Sequence, residues 1–129
     1  MTSRDAARMV DVKVAILLFC GLTLFAQPVH NGNFTIRFEP TAILQSNAPI
    51  PFQIHVTDPN HHPVTTAKVE MDIEMTDHTH AQSYKAPSIG AGLYMAKPVF
   101  PVPGHWNVEV IVRRSDQESD STLDFNIPE

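Results

Sequence analysis

Residues 67–75, AKVEMDIEM, sort into two sets: Val69, Met71, Ile73 and Met75 alternate with Lys68, Glu70, Asp72 and Glu74. In an extended chain successive side chains point to opposite faces, so the two sets separate completely; a helix would scatter both around its circumference. The stretch therefore predicts a β-strand with one buried and one solvated face. The same period recurs at residues 34–38 (FTIRF), 52–57 (FQIHVT), 106–112 (WNVEVIV) and 123–127 (LDFNI). Residues 82–86 and 93–96 read as shorter strands. Between them stand turn signals: Asp58-Pro59-Asn60, Gly90-Ala91-Gly92, and an irregular passage through Pro98, Pro101, Pro103 and Gly104. Residues 113–121 read as a polar hairpin loop.

About seven short strands, evenly spaced and with one polar face, predict an all-β fold: an Ig-like antiparallel β-sandwich. Trp106 is the expected centre of its core. The chain's one cysteine is Cys20. The strands that follow it carry none, so the sandwich is expected to hold by aliphatic and aromatic packing alone. Roughly 100 residues suffice for one such core, burying about 60% of the unfolded surface.

The first 26 residues read as a targeting segment. A basic-leaning start (Arg4, Arg8, Lys13) precedes 13 uncharged, mostly apolar residues, VAILLFCGLTLFA at 14–26. That length suits a signal-peptide core and falls short of the ~20 residues that span a bilayer. Cleavage after Ala26 is the expectation. The alternatives are an uncleaved membrane anchor over residues 10–26 and a lipoprotein modified at Cys20. Residues 27–129 then form the folded domain, outside the cytoplasm in the periplasm or at the cell exterior.

The formal net charge is −5, and residues 1–26 are basic by one, so the domain holds all of the acidic excess. That excludes non-specific nucleic-acid binding, which needs cations to neutralise phosphates. A polybasic membrane patch is excluded on the same ground. The sequence has no G-x-S-x-G, no phosphate-cradling glycine loop and no H-E-x-x-H. We read it as a binding protein, not an enzyme.

Several motifs resemble the YtkA-like domain family. They are Phe52-x-Ile54-x-Val56-x-Asp58, Pro63-Val64-x-x-Ala67-x-Val69, and Met75 followed by a histidine-bearing loop. Gly92-x-Tyr94-x-Ala96 and Pro103-Gly104-x-Trp106-x-Val108-x-Val110 complete the set. The resemblance covers roughly residues 34–127, and FixH-like proteins of respiratory oxidase assembly share the architecture. It implies a small exported or membrane-anchored module with a copper site at a Met/His-rich strand end. Family strand ends often carry Met-Pro and a further Met. Here the run is Met75-Thr-Asp-His78-Thr-His80, which tilts a site towards histidine.

Residues 71–80, MDIEMTDHTH, are the best chemical candidate. Residues two apart in an extended chain point the same way, so His78 and His80 can converge. Met75 offers a soft thioether suited to Cu(I); imidazoles suit Cu(II), Zn(II) or Cu(I). Asp77 is a candidate hard ligand or supporting acceptor. A second strand must complete the set, and His105 or Met95 is the expected donor. The plain alternative has both imidazoles solvated in a loop and Met71 as ordinary core. His61 and His62 read as solvated turn residues, and His30 as too far from the expected new N-terminus for an N-terminal copper motif. Glu70, Asp72 and Glu74 form either a docking face for a basic partner or a solvated sheet face.

The expected function is thus an extracytoplasmic binding module that handles copper or supports assembly of a copper-bearing membrane complex. Its expected partners are a copper ion and a membrane or envelope protein. The alternative is a metal-free structural or interaction domain of the cell envelope. A small-ligand site between the sheets is the third option, and a packed core of this size leaves it little room.

Overall fold

The computed structural model describes residues 27–29, as backbone, and 34–129. The targeting segment at 1–26, Cys20 within it, and His30 lie outside the described residues. Nine strands follow in order: β1 (Gln27–Val29), β2 (Thr35–Pro40), β3 (Phe52–Thr57), β4 (Lys68–Met75), β5 (Ala81–Lys85), β6 (Ser88–Gly90), β7 (Leu93–Ala96), β8 (Gly104–Arg114) and β9 (Gln117–Ile127). Among the described residues there is no helix. One sheet has the order β1-β9-β8-β4-β5 and the other β2-β3-β7-β6, with every pairing antiparallel.

The alternation in the sequence becomes the two faces of each sheet. Val69, Met71 and Ile73 of β4 are buried, as are Trp106, Val108, Val110 and Val112 of β8 and Phe52, Ile54 and Val56 of β3. They form one core between the sheets, and full burial of each such side chain contributes roughly 1.5–3 kcal/mol. Phe52 meets Phe125 of the opposite sheet edge-on at 5.4 Å, and Phe100 meets Trp106 at 5.2 Å. The polar tips of the buried aromatics are all engaged. Tyr94 Oη donates to Val64 O (2.7 Å), Tyr84 Oη to Val99 O (3.3 Å) and Trp106 Nε1 to Val102 O (3.1 Å). Aromatic packing thus brings no unmatched donor into the core.

Two expectations need correction. The strands number nine among the described residues, because β1 and β6 are three-residue edge strands too short to show a period. Residues 113–121 are not a loop: β8 and β9 pair continuously from Gly104↔Ile127 to Arg114↔Gln117. The reversal needs only Ser115 and Asp116, with Ser115 in the left-handed region at φ 57°. Ser119 and Ser121 point inward opposite Val112 and Val110 and are fully buried. Two serines at period two carry the strand signal without its usual hydrophobicity. Ser119 Oγ accepts from Phe34 N (3.2 Å) and stitches the two sheets together.

Candidate metal centre

β4 delivers Met75 to one end of the sandwich, and the chain turns back into β5 through residues 76–80. Three backbone bonds close the turn: His78 N to Met75 O (2.8 Å), Met75 N to His80 O (3.0 Å) and Thr76 N to His105 O (3.1 Å). The last ties it to β8. His78 sits at φ 64°, a left-handed conformation that histidine accepts more readily than β-branched residues.

That conformation aims His78 away from His80. Its Nδ1 lies 2.8 Å from Glu74 Oε2, with the ring largely exposed. The bond and charge of Glu74 raise the pKa of His78. His80 turns the other way, its ring centroid 6.1 Å from that of Trp106. Its Nδ1 is 3.1 Å from Thr79 Oγ1, and the same hydroxyl is 3.5 Å from Met75 Sδ. One oxygen therefore touches both a thioether sulfur and an imidazole nitrogen.

Asp77 organises the turn from outside. Its Oδ1 accepts from Thr79 Oγ1 (2.7 Å) and Thr79 N (3.1 Å). These bonds, the hydroxyl's first, lower the Asp77 pKa. Beneath the turn, Met75 packs against the core. Its Cε occupies the space that a Cβ on Gly104 would need, at 2.7 Å. Gly104 also sits at φ +135°, which L side chains rarely adopt. The glycine before Trp106 is thus the seat of the methionine.

The fold brings Met75 and His80 together and separates the other expected donors from them. Met75 pairs with Trp106 across β4 and β8, so His105, one residue out of phase, projects from the outer face of the sheet. It meets the turn only through its carbonyl. Met95 belongs to the other sheet and lines a depression with Tyr84, Lys85 and Ile89, at the far end of β5 from His80. Met71 is fully buried core. Among the described residues no three His, Cys, Asp or Glu side chains form a group able to hold a metal ion. A centre at this turn therefore depends on the thioether of Met75.

Thr79 and Gly104 escaped the sequence reading as parts of this site. Asp-x-Thr is a local signal for the first, since short polar side chains cap nearby backbone amides. Gly-x-Trp signals the second.

The outer face of the five-stranded sheet is acidic beyond the carboxylates of β4. Asp72 is paired with Glu109 of β8, and Asp120 of β9 stands one step along. Partial burial, the bond to Asp120 and the charges of Asp120, Asp72 and Glu118 push Glu109 up to about 7. Arg113 offsets part of this charge, bonding Glu118 (3.0 Å) and Glu70 (3.1 Å).

Two antiparallel sheets around one core, with a Met/His-bearing turn at one end, define a small β-sandwich module. A family model of the YtkA-like domain matches residues 27–111, from β1 to the middle of β8, and the chain belongs to the YtkA-like family. β9 lies past the matched segment yet pairs with β8 along its whole length. Comparison with curated proteins returns no match.

Proposed function

We propose that this protein is an extracytoplasmic, Ig-like module that coordinates copper reversibly at the β4–β5 turn, in copper handling or in assembly of a copper-bearing membrane complex. The observation that carries the reading is the shared contact of Thr79 Oγ1 with Met75 Sδ and His80 Nδ1, beside the Trp106 ring. A thioether and an imidazole form a soft-to-borderline donor pair that fits Cu(I) and is wrong for Ca²⁺ or Mg²⁺, which need several oxygens. The Trp106 ring, itself fully buried, makes the inner side of the turn apolar beside His80. His78, held by Glu74 on the other side of the turn, is a flanking donor that would first have to leave that carboxylate. His105 faces away. The apolar run at residues 14–26 supports export or anchoring outside the cytoplasm.

The chain has one tryptophan, and it stands beside the proposed site, so its fluorescence reports occupancy. Titration with Cu(I) under reducing conditions is expected to quench Trp106 at one equivalent. Zn(II) is expected to bind far more weakly. Met75→Leu/His80→Gln should abolish the response. Equal uptake by this variant and the wild type, or no uptake by either, would sink the reading.

A further inference from the structure

The hydrogen-bond chain at the turn fixes more than the position of His80. A threonine hydroxyl has one hydrogen to give. Three polar atoms surround Thr79 Oγ1: Asp77 Oδ1 at 2.7 Å, His80 Nδ1 at 3.1 Å and Met75 Sδ at 3.5 Å. The carboxylate is the closest and is charged, and bonds to ionised acceptors are shorter and about twice as strong as neutral ones. The hydrogen therefore goes to Asp77. Towards His80 the hydroxyl then presents only lone pairs, so the Nδ1 facing it must carry the ring proton. Towards Met75 it presents no hydrogen either, and the sulfur's lone pairs stay uncommitted.

We infer that Asp77 and Thr79 are positioning residues that hold the His80 imidazole as the Nδ1–H tautomer and so leave its Nε2 lone pair as the one free for a metal. Ligating imidazoles commonly donate their second ring N–H to a carboxylate, a carbonyl or water. Here the carboxylate acts through one intervening hydroxyl. The arrangement also explains why the turn carries Asp-x-Thr-His: Asp77 captures both the amide and the hydroxyl of Thr79 and fixes its rotamer. The inference rests on the copper reading for what Nε2 binds, and not for where the ring proton sits.

The two parts are separable by experiment. Long-range ¹H–¹⁵N spectra of the metal-free protein, recorded at alkaline pH, distinguish a protonated Nδ1 from a protonated Nε2. A solvated imidazole favours the proton on Nε2, so the expected spectrum is the less common one. Thr79→Ser should keep it. Thr79→Val should return the proton to Nε2. Asp77→Ala should do the same although the hydroxyl remains, because Thr79 is then free to donate to Nδ1. With Cu(I) as the probe, Thr79→Val and Asp77→Ala should each weaken binding by about 10–100-fold, and Thr79→Ser by much less. Amide spectra confirm that each variant is folded. A proton on Nε2 in the wild type, or an Asp77→Ala ring that keeps Nδ1–H, would overturn the inference whatever copper does. The expected tautomers with no copper uptake would uphold the relay and overturn the proposed function alone.

Discussion

The turn at residues 58–63 and the turn at residues 75–80 are built from the same parts. Each has an aspartate that caps backbone amides two residues or more ahead: Asp58 takes Asn60 N and His62 N, and Asp77 takes Thr79 N. Each carries two histidines, one of them left-handed, at φ 65° for His61 and 64° for His78. Each is backed by a glycine at positive φ that makes room for a neighbour, Gly92 for Pro63 and Val56 O, Gly104 for Met75. What differs is the company. His61 and His62 are exposed, and beside them stand an aspartate and prolines. His80 lies near Trp106, and Thr79 Oγ1 links its ring to the Met75 sulfur, where β4 and β8 are in register. Histidine content makes a turn polar; strand register decides what the histidines stand beside.

The largest expected effect separates the two turns directly. Met75→Leu/His80→Gln should lower Cu(I) affinity by more than about 100-fold, beyond what loss of supporting contacts alone causes. His61→Ala/His62→Ala should leave it within about twofold. An equal loss in both would erase the distinction. The glycines give the next effect, in denaturant unfolding. A Cβ at Gly92 meets Pro63 Cβ at 2.7 Å and the Val56 carbonyl at 2.9 Å, groups that cannot step aside. Gly92→Ala should cost about 3 kcal/mol, from overpacking and positive φ together. Gly104→Ala meets only the end of a flexible methionine. It should cost about 1–2 kcal/mol, yet disturb copper binding, which Gly92→Ala should not.

Charge sharpens the contrast further. Outside both turns, Glu109 has a folded pKa raised from 4.5 to about 7. Its contribution to stability is therefore complete below about 4.5 and lost as the pH rises through 7. Glu109→Gln should remove this loss, of order 1 kcal/mol after solvent screening, and flatten stability against pH in that window. The smallest effect is at His78. Its pKa is raised by Glu74, so the pair stabilises the fold below the unfolded value of 6.5 and ceases to as the pH rises through the folded pKa. Glu74→Gln should move the His78 NMR titration back towards 6.5.

The strands were legible wherever hydrophobicity carried the period. β4 and β8 can be read directly from AKVEMDIEM and WNVEVIV. β9 was legible only in its last half, because Ser119 and Ser121 fill the inward positions with small polar groups. Of the proposed site, Met75 and His80 were visible in MDIEMTDHTH, but the hydroxyl that links them was not. Period two led us to pair His78 with His80, and the left-handed backbone at His78 breaks that period. No pattern within the segment reveals that a hydroxyl one residue away would touch sulfur and nitrogen together. That depends on which rotamer Asp77 imposes. His105 shows the converse: its chain neighbour Trp106 is at the site, and one step along a strand moves a side chain through the sheet.

Trp106 is both the largest fully buried side chain and the floor under His80. Whatever settles on the turn is thereby coupled to the packed core. A bound ion at a hundred times its dissociation constant would add about 2.7 kcal/mol to the folded state. Under the proposed copper reading, the metal-free module would melt earlier and fall sooner to proteases, so its lifetime would keep a running record of supply.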